Sequence, residues 1–327
     1  MTAVEPLDLT DRTRAAQAKA RILREALPWI TRWAGRTLVV KYGGSANAGD
    51  TLTAAFAADV ALLHSVGLRV VVVHGGGPQI SALAERLGLP ARFIQGRRVT
   101  DSETLAVVKM ILLGQINPQL VGMVTDAGAP AVGVAGTDAG LVLARPCDPA
   151  LGLVGDVAAV DPRVLSTLLD DGAVPIVATV ARGVDGGEYN VNADAVAGAV
   201  AVALGADKLI QLTNVPGLYT DFGTADSALV SEIGVDRLRG MLAAGELATG
   251  MVPKVRSIVE ALDGGVGQAH LLDGRVEHAL LLEIFTDEGI GTMVTGQQSH
   301  DGRCATATSE VARIASDEPR RFTDQTP

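Results

Sequence analysis

Cysteine is nearly absent: the 327 residues include two, Cys147 and Cys304, far apart and in no C-x-x-C pair. A disulfide framework, a zinc site and a redox motif therefore lack support, and a reducing cytoplasm is the expected compartment. Aromatic residues make up 3% of the chain and the formal net charge is −10. Both argue against a general nucleic-acid surface, which needs clustered cations for phosphates and rings for stacked bases. Long apolar runs are lacking as well. The stretch Leu68–Val73 contains Arg69 and falls far short of the roughly 20 residues a membrane-crossing helix requires. The N-terminal MTAVEPLDLTDRTRAAQ is charged and has no apolar signal core, so neither export nor a membrane is expected.

What the chain does have is 48% hydrophobic residues, enough to bury a core as one large domain or two lobes. Across residues 11–30, Ala15, Ala18, Ile22, Leu23, Ala26, Leu27 and Ile30 form one apolar helical face. That face suits either its own core or another subunit, and Pro28 is expected to bend or end the helix. From residue 37 the pattern turns to apolar strand, glycine-rich turn and helix: TLVVKYGG, a helix over 51–66, LRVVVVHGGG, then PQISALAERLG. Further strands are expected at Ala131–Val134, Val174–Val180, Lys208–Thr213 and Gln268–Leu272, and helices at 101–127, 161–170, 194–204, 235–243 and 253–263. Continuous apolar strands alternating with helices indicate an α/β fold whose parallel sheet is covered on both faces. RGVDGG at 182–187 reads as a surface loop marking the join of two lobes, and the aperiodic sequence after 297 as a mobile tail.

Two glycine clusters each follow a strand and precede a helix: Lys41-Tyr42-Gly43-Gly44 and His74-Gly75-Gly76-Gly77-Pro78. Glycine lets backbone N–H groups approach an anion, and a helix N-terminus adds a favourable dipole, so together they suggest a phosphate cradle. Neither is a Walker A loop, and the chain has no G-x-G-x-x-G fingerprint. Lys41, at the end of a buried strand, should face a polar cleft or a structural ion pair. Lys254 falls in the first turn of a helix, the wrong end for a cation unless an anion is bound there. Asn190, Asn192 and Asp194 precede an apolar helix, where Asn192 or Asp194 serves as a cap. Arg98, in GRRVTD, is either a solvated loop charge or a fork for a carboxylate. His74 borders the cradle, and a positioning or packing role suits it better than that of a catalytic acid.

The series KYGG, HGGGPQI, GRRVTD, YNVNAD, LTNVPGLY, TGMVPK and HALLLEIFTDEGIGTMV resembles the acetylglutamate kinases, in order from Lys41 to Val294. The resemblance implies a three-layer αβα sandwich on a mainly parallel sheet, with residues 35–181 binding the acyl amino acid and 182–296 binding ATP. It implies transfer of a phosphoryl group from ATP, with Mg²⁺, to the γ-carboxylate of N-acetyl-L-glutamate in arginine biosynthesis. Lys41 and Lys254 would stabilise that group, Gly44, Gly75 and Gly76 would supply N–H donors, Asp194 would hold the lysines, and Arg98 and Asn190 would grip the amino acid. It further implies that His270, Glu283 and Gly289 bind L-arginine as inhibitor, and that the helix within residues 1–34 links dimers into a homohexamer. Three places depart from the family pattern: Ser45-Ala46-Asn47, Asn214 and Pro118. They leave open a kinase of a related acyl amino acid, or a non-catalytic arginine sensor on the same fold.

Overall fold

The computed structural model describes residues 9–43, 50–220, 227–286 and 289–296. Gly44, Ser45-Ala46-Asn47, Cys304 and the expected tail lie outside them. The sheet is built first from the Val- and Leu-rich segments: β1 (Thr37–Tyr42), β2 (Arg69–His74), β8 (Val174–Ala178), β5 (Ala131–Ala135), β11 (Lys208–Thr213), β15 (Gln268–Asp273), β16 (Thr292–Thr295) and β14 (Glu232–Gly234). Their order is β14-β16-β15-β11-β1-β2-β8-β5. The six strands from β15 to β5 are parallel, and β16 runs antiparallel to β15. The fold is α/β with helices on both sides of this sheet.

Strand alternation sorts the core into two layers. Leu38, Val40, Tyr42, Val70, Val72, Ile176, Ile210 and Leu272 belong to one cluster, which includes the buried faces of α2 (Asp50–Ser65), α4 (Ser102–Ile111), α5 (Asn117–Asp126) and α10 (Ala279–Phe285). Val39, Val71, Val73, Val177, Leu209, Ala269 and Leu271 belong to the other, with α6 (Arg163–Asp170), α7 (Ala193–Ala203), α8 (Val235–Ala244) and α9 (Val252–Asp263). Four strands outside the sheet, β6 (Val142–Pro146), β7 (Val154–Val160), β9 (Val180–Gly183) and β10 (Glu188–Val191), close on one another. A two-residue turn at Gln95-Gly96 joins the short hairpin β3 (Phe93–Ile94) and β4 (Arg97–Arg98). A second short pair, β12 (Tyr219–Thr220) and β13 (Ala228–Leu229), is also antiparallel.

The structure narrows or changes four points of the sequence reading. Helix α1 (Leu9–Trp33) continues through Pro28. The carbonyl of Arg24, which loses its partner there, lies on an exposed stretch where water can replace the bond. The apolar face of α1 is not covered by its own core: Ile22, Leu23 and Leu27 are 64%, 69% and 57% exposed. The helix expected over 101–127 is α4 and α5 joined by a π turn, Leu112–Ile116. This 25-residue stretch is long and apolar enough to cross a membrane. Leu105, Val108, Leu112, Ile116, Leu120 and Val124 nevertheless bury its inner face in the core. Finally, Val174–Val180 divides at Thr179, and 184–187 is the turn of the β9–β10 hairpin.

Leu209 is fully buried on β11 between β1 and β15. Leu209→Ala should cost about 2–5 kcal/mol, read as a lower urea midpoint with an unchanged denaturant slope.

Candidate active site

The alternation that buries Val39 turns Lys41 towards α7 and α9. Asp194, the second residue of α7, meets it: Lys41 Nζ lies 2.9 Å from Asp194 Oδ1, an ion contact off the hydrogen-bond direction. Lys254, in the first turn of α9, lies 3.1 Å from the other oxygen, Oδ2. Asn192, not Asp194, caps α7, its Oδ1 accepting from the N–H groups of Asp194 and Ala195. The Asp194 carboxylate is thereby left to the lysines. Burial pushes it up, but the combined pull of Lys41 and Lys254 outweighs that and holds it below the usual carboxylate range. Burial likewise pushes the Lys41 ammonium down, with Asp194 opposing and Lys254 reinforcing the shift.

Lys41, Asp194, Lys254, Gly75, Gly76, Arg98 and Asn190 all line one cavity of about 360 Å³. Gly76 precedes α3 (Gly77–Arg86) as its N-cap, and its N–H has no hydrogen-bond partner among the described residues. A Cβ there would run into Ile116 Cδ1 at 2.5 Å and Leu112 Cδ2 at 2.8 Å, so a side chain at this position would have to displace the ends of both. Gly75 departs from the expected role. Its N–H donates to the Tyr42 carbonyl at 3.3 Å as a continuation of the β1–β2 ladder, so it contributes room rather than a free donor.

Arg98 is 8% exposed and stacks on Phe93 across the hairpin, with Cζ 4.8 Å from the ring centre. Its Nη2 donates to the Gly77 carbonyl and Ser81 Oγ, while Nη1 is buried with no partner among the described residues. Burial draws its pKa down. A buried guanidinium nitrogen without a partner is costly, and a planar carboxylate is its best complement. Asn190 donates from Nδ2 to Thr100 Oγ1 at 3.3 Å, and its side chain borders the same cavity. The neighbouring Arg97, which also lines the cavity, pairs with Asp156 at 2.8 Å. The sequence reading missed this contact, since nothing in the order of residues brings positions 97 and 156 together.

Residues 36–273 match the model of the amino acid kinase family. The acetylglutamate kinase of Frankia casuarinae is 52% identical, covering 94% of this chain and 86% of that protein. That of Acaryochloris marina is 49% identical over 86% of this chain and 99% of its own length. The chain belongs to the amino acid kinase family, among the acetylglutamate kinases. Solved structures of the same fold include the N-acetylglutamate synthase of Neisseria gonorrhoeae, complexed with coenzyme A and N-acetyl-glutamate. It is 28% identical with a TM-score of 0.74, matching 84% of this chain, which spans only 63% of that longer one. The carbamate kinase of Giardia lamblia bound to AMP-PNP shares the fold alone, at 19% identity and a TM-score of 0.60 over 81% of this chain and 99% of that one.

His270, Glu283 and Gly289 come together away from the lysines. On β15, Ala269 and Leu271 face α9, so His270 points to the opposite layer, as Lys208 does on β11. His270 Nδ1 lies 2.6 Å from Glu283 Oε1, and Glu283 Oε2 accepts from the Ile290 N–H at 2.9 Å. Gly289, with φ of +57°, brings its backbone against the same carboxylate. His270 Nε2 is buried without a partner. Lys208, absent from the sequence reading, stands 4.4 Å above the Trp33 ring of α1 and is pushed down to about 8 by burial, with Glu283 opposing. Strand period alone would have put Lys208 and His270 on one face once the register of their strands was known.

His74 is fully buried, and burial lowers its pKa from 6.5 to about 4. The unfolded chain therefore takes up the proton first, so this contribution to stability is complete above pH 6.5 and is lost as pH falls towards 4. Between pH 7 and pH 5 it removes about 2 kcal/mol. Urea denaturation of the wild type and of His74→Gln at both pH values should show a pH dependence smaller by that amount in the variant. An equal dependence in both would contradict the assignment.

Proposed function

We propose that this chain transfers the γ-phosphoryl group of ATP to the side-chain carboxylate of N-acetyl-L-glutamate, with Lys41, Lys254 and the Gly76 amide meeting the group in transit. One observation carries the reading: two lysines on a shared buried aspartate, an unpartnered amide and an unpaired arginine nitrogen border a single cavity. The acceptor carboxyl, which titrates near pH ~4.3 in water, is already ionised at neutral pH, so the reaction needs no general base. An acceptor oxygen bonds to the γ-phosphorus as the bond to the β-bridging oxygen breaks, and ADP departs with the electron pair. The obstacle is the approach of two anions, which positioning and charge neutralisation overcome. The free Arg98 Nη1 suits the α-carboxylate and the Asn190 amide a directional contact to the acyl amino acid. Among the described residues no group of three His, Cys, Asp or Glu side chains could hold a metal. Mg²⁺, held chiefly by the nucleotide phosphates, would supply charge neutralisation there.

ADP release should be measured with MgATP and, in parallel, N-acetyl-L-glutamate, L-glutamate, N-acetyl-L-aspartate or N-acetyl-L-2-aminoadipate. Turnover confined to the first is expected. Preference for another acceptor would move the substrate while keeping the chemistry, and inertness of folded protein towards all four would sink the reading. Lys41→Met and Lys254→Met should each lower kcat by about 100-fold or more, with smaller changes in the KM for ATP. Arg98→Ala should act chiefly on the KM for the acyl amino acid, raising it on the order of 10-fold to 100-fold.

The second cluster supports a regulatory reading. A buried carboxylate flanked by the partnerless His270 Nε2, and a lysine resting on α1, make a site that a cationic amino acid such as L-arginine could engage while sensing α1. The exposed apolar face of α1 suits pairing with the same helix of another dimer in a hexamer. Removal of residues 1–34 should leave dimers with weakened arginine inhibition, read by light scattering and by ADP release with added arginine. An unchanged hexamer would refute the assignment of α1.

A further inference from the structure

One buried ionisable group is left unused by this chemistry. His74 ends β2 on the face opposite Lys41, between the sheet and the helix that carries Asn117. Its Nδ1 lies 3.2 Å from the Gly75 carbonyl oxygen, and its Nε2 lies 3.1 Å from Asn117 Nδ2. The same Nδ2 lies 2.8 Å from the Ile176 carbonyl. That carbonyl only accepts, so the amide nitrogen of Asn117 must face it, and the second amide hydrogen is directed at Nε2. Nε2 is then the acceptor, and the proton of the neutral ring resides on Nδ1, donating to Gly75.

The carbonyl of Gly75 and the N–H of Gly76 belong to one peptide plane. In a trans peptide they point in opposite directions, and no peptide among the described residues is cis. A donor that holds the carbonyl on one side therefore aims the N–H to the other. We propose that His74 and Asn117 are a positioning pair that fixes the Gly75–Gly76 peptide plane and so aims the Gly76 amide at the phosphoryl group in transit. This rests on the reading of Gly76 as a donor to that group.

Three local features fit the pair. The π turn Leu112–Ile116, closed by the Asn117 N–H on the Leu112 carbonyl, adds a residue to the turn and brings Asn117 round to the buried face. Pro118 follows in the first turn of α5, where a missing N–H is tolerated. On β5, Gly133 leaves the space that Asn117 Oδ1 fills, and a side chain there would collide with it. With its pKa near 4, the ring keeps one neutral state through the assay range.

Nitrogen-15 NMR of histidine-labelled protein at pH 7 should find His74 protonated on Nδ1, the signal being assigned by its loss in His74→Asn. Asn at 74 offers its Nδ2 where Nδ1 stood and should keep kcat within about threefold, whereas His74→Leu should lower kcat about tenfold or more. Both KM values should stay within about threefold of wild type, since the pair touches neither substrate. Asn117→Ala should lower kcat likewise and weaken the Nδ1 preference, which the Gly75 carbonyl alone would then hold. Thermal denaturation identifies a variant that fails to fold, and if none folds the wild-type tautomer decides. A wild-type ring protonated on Nε2, or folded His74→Leu with wild-type kcat, overturns the pair. Absence of wild-type turnover overturns the functional reading and this role with it, whereas turnover with an Nε2-protonated ring overturns this inference alone.

Discussion

Asp194 is 4% exposed and shared between two ammonium groups, one of them on a strand that is buried along almost its whole length. Removing such charges from water costs several kcal/mol per ion, recovered only when the partners are held at contact distance. Three elements far apart in the chain, β1, α7 and α9, must therefore be placed together to within a few tenths of an ångström. The capping of α7 by Asn192 and the packing of Val196, Val200, Val255 and Ile258 in one core cluster do this. Either lysine alone would balance the aspartate's charge but leave one of its oxygens without an ion contact, and the aspartate's absence would set two cations against each other.

The parallel sheet then decides what else lies beside that triad. Strand period puts Lys41 on the α7 side and His74, Lys208 and His270 on the other, so the chain carries two polar assemblies separated by one layer of apolar strands. Gly43 after β1 and the glycine turn after β2 lie at the strands' carboxyl ends, the usual ligand edge of an open α/β sheet. At Gly76 a side chain would have to push aside Ile116 and Leu112 of the core, and the glycine itself borders the cavity.

Much of this was legible in the residues. The strands 37–42, 69–74, 208–213 and 268–273 are mainly apolar segments, interrupted inside only at Lys41, Gln211 and His270, and Lys41, Arg98, Asn190, Asp194 and Lys254 stand out from their motifs without any knowledge of contacts. What stayed hidden depended on pairings between distant segments. Lys208 looks like an ordinary strand-edge lysine until β11 is set beside β1 and β15 and the ring of Trp33 is brought under it. The short strands β6, β7, β9 and β10 carry glycines and charges that break the apolar period, because they close on one another instead of entering the sheet. Pro28 does not end α1, because on an exposed stretch water can take the place of the lost bond.

Charge accounts for why an acidic protein can hold two anions in one cavity. The chain carries a net −10, yet Lys41, Lys254 and Asp194 sum to one excess positive charge, and Arg98 adds a second. Most of the carboxylates sit on exposed surface, where a screening length of roughly 8 Å at physiological salt weakens their reach. The buried cations are screened far less, so the local sign is set by four side chains and not by the total. A fourth buried cation would add its own desolvation cost, whereas one fewer would weaken the compensation between the phosphoryl group and the acceptor carboxylate. The unpaired amide of Gly76 supplies partial positive charge at no such cost, since a backbone dipole needs no counter-ion when the cavity is empty.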